Sequence, residues 1–545
     1  MSASNKKKLR KAQQTEMLTA RQRQELAEAK KLKVYTISFL VAMIAIVIAV
    51  VGILTFQGIT NSGIIEKNTI AANVNGNKIN SVEMTYYYQD AIGQMYEDAY
   101  NSYSSYYELY FEAMGLDLHK PLNEQTNTST GDTWANYFVD VALKQAKFDY
   151  TFSALAEKNN YALTESERAD VDTQINNLEI NSKYYGYTNP DNYLKAVYGA
   201  GSTVESYKTY LTRSALANAY CQYYYNQLTA DQTEMDEFVK DKENDYNSYD
   251  YSYVYLSYTD FLKSDSDTES TTYTDEQKDA AREEAKKLAE ELYALGNLDD
   301  IRDKVNEVEN TSVVVKDAKA TLHTSVNTAT MADWLASADR QPGEVGLLEN
   351  SSTNSETGET TINGYYVICF LKKDDNTGKM SNVRHLLVAF EGGKEDEYSG
   401  EMNYSNEEKE TAKAAAEELL KKWQDGEATK ESFIALVKEH TDDTGSAETG
   451  GLYENIHAGS QYVTNFLDWA IKPEHKEGDI EIVETEYGYH IMYFEGYSEQ
   501  SYRDQLITDA IKSEKYETWY NETMDAASAA IENLSKIPLE EPIAG

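Results

Sequence analysis

Five of the chain's seven histidines lie between residues 385 and 490: His385, His440, His457, His475 and His490. Two of them interrupt apolar, β-prone runs, His385 in VRHLLVAF (residues 383–390) and His490 in YGYHIMYF (residues 487–494). An imidazole donates, accepts or changes charge near neutral pH, so two in contact could organise a polar site, move a proton or bind metal. A histidine in a strand, taken alone, is more often a satisfied core residue than a catalyst. The pair is more telling. The first and last strands of an antiparallel unit can be neighbours, and their imidazoles would then meet inside the sheet. Between them runs HTDDTGSAETGGLYENI (residues 440–456), dense in Asp, Thr, Gly and Ser. Such a stretch bends sharply and displays polar groups, and it also reads as an ordinary surface loop. YVTNFLDWAI (residues 462–471) follows, with Phe466 and Trp469 as core or pocket wall.

Spacing excludes other chemistries. There is no Gly-x-Ser-x-Gly elbow, no His-Glu-x-x-His and no phosphate loop. Asp443 and the histidines could in principle hold a metal, but their order fits no standard site. The acids of the loop lack the spacing of a calcium site. No metal and no cofactor are expected.

The elements that would position the two histidines occur twice. NGYYVICF (residues 363–370) parallels YGYHIMYF, with Tyr366 in place of His490. YDYSYVYLSY (residues 249–258) parallels VRHLLVAF, with Tyr253 in place of His385. Each first strand leads through a polar loop to a strong helix, residues 273–296 or 404–426. Each helix opens on a hydroxyl cap, Thr274 with Gln277 or Ser405 with Glu408, and ends near Gly296 or Gly426. Asp333-Trp334-Leu335 then matches Asp468-Trp469-Ala470, and Gly343-Glu344-Val345 matches Gly478-Asp479-Ile480. Residues 246–376 and 377–498 therefore read as two copies of one strand–helix–helix–strand–strand domain. The first copy lacks both histidines, which suggests that the pair acts as a unit.

Upstream, residues 74–245 read as mainly helical and rich in tyrosine. Asn75-Gly76 marks a tight turn, Asn80 and Thr164 are helix caps, and NEQTNTSTGD (residues 123–132) reads as a loop. Downstream, residues 499–545 read as a helix over 501–534 and a Pro-containing tail. Residues 57–73 read as a tether. Residues 34–56, VYTISFLVAMIAIVIAVVGILTF, carry no charge and are long enough to cross a hydrocarbon layer of roughly 30 Å. The basic segment 1–33 before them holds ten Lys/Arg against three Glu, and no small-residue cleavage site follows. This predicts an uncleaved single-pass transmembrane anchor with a cytoplasmic N-terminus and everything after residue 57 extracytoplasmic.

The formal net charge is −42, and residues 1–33 contribute +7, which leaves −49 for the rest. So acidic a chain argues against nucleic acid or an anionic bilayer surface as partner. A solvated acidic surface that keeps the protein soluble accounts for it as well. The two cysteines, Cys221 and Cys369, make no disulfide framework, and Cys369 reads as a buried thiol.

Taken together, VRHLLVAF, DDTGSAETGG, YVTNF and YGYHIMYF resemble the parvulin-type peptidyl-prolyl cis/trans isomerases, over residues 380–498. The region before them resembles the helical chaperone part of bacterial extracytoplasmic foldases. The resemblance implies an α+β chain: an N-terminal transmembrane helix, a mainly helical chaperone domain, and two parvulin-like domains, each a small antiparallel sheet flanked by helices. The first of these would be degenerate. It implies catalytic roles for His385, Asp443 and His490, and a proline pocket of Leu452, Tyr462 and Phe466 with Tyr487 beside it. Gly451-Leu452-Tyr453 departs from the family's Gly-Asp-Leu-Gly. One extra residue lies between Gly459 and Phe466.

The chemistry implied is rotation about the X-Pro bond, which resonance makes slow. An enzyme accelerates it by favouring the twisted amide over both planar forms. The implied partners are unfolded or nascent secreted polypeptides with X-Pro bonds, and the membrane through the N-terminal helix. The contrasting reading is a non-enzymatic holdase whose parvulin-like domains are both inert.

Overall fold

The computed structural model of the chain describes residues 63–263, 273–355, 357–396, 400 and 402–541. The basic segment and the anchor expected at 34–56 lie outside the described residues. Among the described residues, no helix is long and apolar enough to cross a membrane. Helices and small antiparallel sheets make an α+β chain in two compact units. One comprises the described residues up to Thr229 and those from Lys512 on, the other Ala230–Ile511.

The mainly helical unit opens on a hairpin, β1 (Ile70–Val74) and β2 (Asn77–Asn80). Its turn places Asn75 and Gly76 at φ 52° and 84°, the left-handed conformation such a turn requires. The tether expected over 57–73 is thus shorter, because Ile64–Asn68 is helical and β1 begins at Ile70. Its main helices before residue 230 are α1 (Ser81–Tyr103), α2 (Trp134–Lys158), α3 (Glu165–Tyr184), α4 (Pro190–Tyr198) and α5 (Val204–Gln227). Asn80 caps α1, and Thr164 and Glu167 close a reciprocal capping box on α3. The tyrosines are largely core. Tyr86, Tyr87 and Tyr88 are fully buried, and Tyr87 and Tyr210 meet edge to face at 4.8 Å. The Tyr210 hydroxyl donates to Asp90 at 2.6 Å and that of Tyr87 to the buried Asp149 at 3.1 Å. The helix expected over 501–534 ends at Ala526. Ala529–Ile531 instead forms a strand on the free edge of β1, with Ile531 opposite Ala72.

The other unit contains two four-stranded antiparallel sheets of one topology. The first is built from β3 (Ser248–Ser257), β4 (Val315–Leu322), β5 (Val345–Thr353) and β6 (Thr360–Asp374), in spatial order β4-β3-β6-β5. The second is built from β7 (Lys379–Ala389), β8 (Leu452–Ile456), β9 (Ile480–Thr485) and β10 (Gly488–Ser501), in order β8-β7-β10-β9. Each has four strands where the sequence pattern suggested three. Helices α6 (Asp275–Leu295), α7 (Leu298–Asn306) and α8 (Ala329–Ala336) accompany the first sheet. Helices α9 (Asn406–Gln424), α10 (Lys430–His440) and α11 (Thr464–Ala470) accompany the second. Both expected capping boxes form. Gly296 takes the left-handed stop after α6, whereas α9 already ends on Asp425. Both cysteines are buried and free.

The second sheet is covered on both faces because its strands carry apolar residues on both. Leu386, Tyr489, Ile491 and Tyr493 pack on Ala412, Ala416 and Phe433 of α9 and α10. On the opposite face Val383, Met492 and Phe494 pack on Phe466, Trp469 and Ala470 of α11.

Candidate active site

The central pair β7–β10 brings the two histidines together. His385 lies opposite Met492, and His490 opposite Leu387, so the imidazoles are diagonal neighbours on the α11 face. Their Nδ1 atoms are 2.9 Å apart. The other nitrogen of each ring is engaged too. His385 Nε2 is 3.0 Å from Asp443 Oδ2, and His490 Nε2 is 2.9 Å from Thr485 Oγ1. Asp443 also accepts from the Tyr453 hydroxyl at 3.0 Å, from the Gly445 amide at 3.0 Å and from Ser446 Oγ.

These partners fix one direction for the hydrogen bonds. Burial opposes the charge on Asp443, but hydrogen bonds from His385 and Ser446 outweigh it and hold the carboxyl well below the usual carboxylate range. An ionised carboxylate only accepts, so His385 donates through Nε2–H and accepts at Nδ1. His490 then donates through Nδ1–H and accepts the Thr485 hydroxyl at Nε2. Thr485 in turn accepts the Tyr487 amide at 3.2 Å. Burial, reinforced by His385, pushes His490 well below the ordinary histidine value, so its ring is neutral.

The polar loop is pinned to the strand it serves. Thr441 Oγ1 accepts the Leu387 amide at 3.1 Å, and Asp442 Oδ2 accepts the Ala389 amide at 3.0 Å. At the loop's other end the His385 amide donates to the Gly451 carbonyl at 3.0 Å. A Cβ on Gly451 would lie 2.1 Å from the His385 carbonyl oxygen, and its φ is +75°. The position therefore requires glycine. From the α10 side, Arg384 donates to the Thr449 and Gly450 carbonyls and pairs with Glu495, which Lys430 also contacts at 2.8 Å.

Over this polar floor opens a cavity of about 240 Å³. Tyr453, Tyr462, Val463, Phe466 and Tyr487 wall it, and His385, His490 and Asp443 line it. The Phe466 ring stands edge-on to both imidazoles, at 5.3 and 5.6 Å between centroids. Burial raises the Tyr453 hydroxyl, reinforced by Asp443, and burial raises those of Tyr462 and Tyr487 as well. All three stay neutral donors.

Of the seven residues named from sequence, six meet here: His385, Asp443, His490, Tyr462, Phe466 and Tyr487. Leu452 does not line the cavity. It lies opposite Arg384, while Tyr453 lies opposite Val383 on the histidine face. Strand alternation thus puts Tyr453 in the pocket and Leu452 on the far side. Sequence reasoning missed Tyr453, Ser446, Thr485 and Arg384. Arg384 stood beside His385 in VRHLLVAF, but only the fold shows what its guanidinium reaches. The remaining histidines stay apart. His440 contacts Lys422, His457 stacks on Tyr502 and His475 bonds the Trp469 carbonyl, so only His385 reaches Asp443.

The first sheet repeats the register with different side chains. Tyr253 lies opposite Ile368 and Tyr366 opposite Tyr255, the same diagonal as the histidines. The Tyr253 and Tyr366 rings meet edge to face at 5.9 Å, and Tyr366 stacks on Tyr255 at 4.5 Å. An aromatic cluster fills the place of the imidazole pair.

Chemically, the site couples an aromatic-walled pocket to a rigid polar floor. Asp443 is a weak base, saturated by four donors, and His490 is neutral. The floor suits electrostatic shaping of an amide rather than covalent attack. The family model described as Rotamase, PPIC-type PPIASE domain, matches residues 385–496, and the chain carries a parvulin-type peptidyl-prolyl isomerase domain.

Among solved structures, the chain is similar to the peptidylprolyl isomerase PrsA from Bacillus anthracis, at 22% identity over 28% of this chain and 59% of that one, TM-score 0.18. PrsA from Bacillus cereus gives 22% identity over 30% and 56%, TM-score 0.17. PrsA from Bacillus subtilis gives 17% identity over 73% and 88%, TM-score 0.22. The chain spans less than two thirds of the length of the first two. No curated protein matches it.

Proposed function

We propose that the chain is an extracytoplasmic peptidyl-prolyl cis/trans isomerase and chaperone that assists the folding of secreted proteins at the membrane surface. The observation that carries this reading is the connected His490–His385–Asp443 floor beneath an open aromatic pocket. In this reading Phe466, Tyr462 and Tyr453 grip the proline ring. The floor disfavours the planar, charge-separated amide and so lowers the barrier of roughly 18–20 kcal/mol. The histidine pair organises the site; it is neither nucleophile nor base. Residues 34–56 anchor the chain, with the N-terminus cytoplasmic. The helical domain holds unfolded client. Residues 246–376 form a degenerate parvulin-like domain that no longer catalyses, residues 377–498 form the working one, and residues 499–545 complete the helical part. The family match over residues 385–496 supports the isomerase part of this reading.

The test uses the whole chain in detergent. Cis-to-trans exchange of an X-Pro peptide is followed by NMR, beside a His385→Ala/His490→Ala variant. Acceleration that disappears in the variant is expected. A folded wild-type chain that gives no acceleration would replace the enzyme by a holdase. Protease accessibility in intact cells tests the topology: cleavage after residue 57 only upon membrane disruption would overturn it.

A further inference from the structure

The helical unit holds a segment that resembles the substrate assigned to the chain. Beyond the strand Ala529–Ile531, the tail runs ENLSKIPLEE, residues 532–541. Glu532 and Asn533 amides both donate to the Ala71 carbonyl. After that, the tail's amide bonds stay within itself: Ser535 to the Asn533 side chain, Ile537 to the Leu534 carbonyl, Leu539 to the Ile537 carbonyl. What seats it is apolar burial. Ile537 is 6% exposed in the same core as Tyr86–Tyr88 and Trp134, and Leu534 and Leu539 pack on that core. Next to Ile537 and Pro538 lies a cavity of about 260 Å³, walled by Val82 and Thr85 of α1 and by Val197 and Gly199 at the end of α4. The groove is therefore filled only in part.

We propose that this groove is a client-binding site and that the tail is its displaceable occupant, standing in for an extended client segment. The preferred segment has an apolar residue directly before proline and a second one directly after, as in Ile537-Pro538-Leu539. The proposal rests on the reading that the chain handles unfolded polypeptides. Its physical basis is how the tail is held. A segment seated by side chains, without a ladder of main-chain bonds, can be exchanged for another that supplies the same side chains. No secondary structure need break. The tail is covalently present at an effective concentration in the millimolar range, so it excludes weak competitors and yields to long or multivalent ones. It would thereby favour unfolded chains over short peptides.

The test compares the full chain, a chain ending at Asn533, and a full-length Ile537→Ala/Leu539→Ala variant. The probe is a fluorescein-labelled peptide LSKIPLEE, with LSKSSSEE as control, read by fluorescence anisotropy. The truncated chain is expected to bind LSKIPLEE at least tenfold more tightly than the full chain, with the double variant between them. A permanently unfolded, carboxymethylated protein is expected to compete. A truncated chain with unchanged circular dichroism and no gain in binding overturns the proposal. Peptide binding without competition by the unfolded protein overturns the client assignment. If truncation unfolds the helices, the double variant decides, and binding equal to wild type overturns the proposal. X-Pro exchange is recorded on the same samples. Unchanged exchange with no peptide binding sinks this inference alone, whereas absent wild-type exchange sinks the isomerase reading by itself.

Discussion

Asp443→Asn keeps the shape of the side chain and removes its charge, which makes it a direct test of the hydrogen-bond direction through both histidines. The carboxylate accepts from His385, Ser446 and Tyr453 at Oδ2 and from the Gly445 amide at Oδ1. An asparagine that keeps the Gly445 bond must turn its NH2 toward three donors. The least costly response is reversal of the chain. The NH2 donates to His385 Nε2, His385 Nδ1–H to His490, and His490 Nε2–H to Thr485. The Thr485 hydroxyl already lies 3.4 Å from the Gly488 carbonyl and can discharge the last proton there. Ser446 and Tyr453 lose their acceptor. Hydrogen bonds to charged groups contribute roughly 1.5–3 kcal/mol and neutral ones about 0.5–1.5. Weakening the His385 bond therefore costs about 1 kcal/mol, and the two hydroxyls, one of them only half-buried, add about 1–2. The domain is expected to lose ~2–3 kcal/mol in urea unfolding. Long-range 15N–1H correlation spectra are expected to show His385 Nε2–H and His490 Nδ1–H in the wild type, both switched in the variant. Wild-type His385 protonated on Nδ1 alone would refute the assignment. So would an Asp443→Asn variant with unchanged tautomers and a stability change under ~0.5 kcal/mol.

Gly451→Ala is expected to destabilise the domain by about 3 kcal/mol or more, since a Cβ 2.1 Å from the His385 carbonyl adds a clash to a positive φ; urea unfolding measures it, and a loss below ~1 kcal/mol contradicts the geometry. His490 is held neutral by burial and by His385, so below about pH 6.5 the unfolded chain binds more protons than the folded one. Stability is unaffected above that pH and falls as pH drops, by up to about 1.36 kcal/mol per unit. Asp443 acts in the same direction lower down, its contribution being full above about pH 4 and lost beneath it. Amide-exchange protection of Leu386 and Ile491, followed from pH 7 to 5, should decline accordingly; constant protection contradicts a buried neutral imidazole. Tyr253→His/Tyr366→His should place two imidazoles on the matching diagonal of the first sheet without creating an isomerase, because the neighbour that meets the Tyr253 hydroxyl is the neutral Asn327 amide, at 2.7 Å, where His385 meets the Asp443 carboxylate. Activity in that variant, with His385 and His490 also replaced by Ala, would show that the pair suffices.

Much of the site was legible because its signals are local. Apolar, β-prone runs mark VRHLLVAF and YGYHIMYF as strands, Thr274 with Gln277 and Ser405 with Glu408 mark the starts of α6 and α9, and Asn75-Gly76 marks a hairpin. Such preferences act within a few residues through backbone sterics and side-chain reach, so they survive in one dimension. The repeat added one non-local fact, that Tyr253 and Tyr366 replace both histidines together, and the shared register bears it out. Only tertiary structure decided the frame of β8. Gly451 closes on the His385 backbone, and that contact turns Tyr453 to the histidines and Leu452 away. It likewise supplied Thr485 to orient His490, and set Ala529–Ile531 beside β1, from the opposite end of the described chain. These choices depend on which free backbone edge or unpaired ring nitrogen a distant segment meets, and nothing within a few residues of either partner records it.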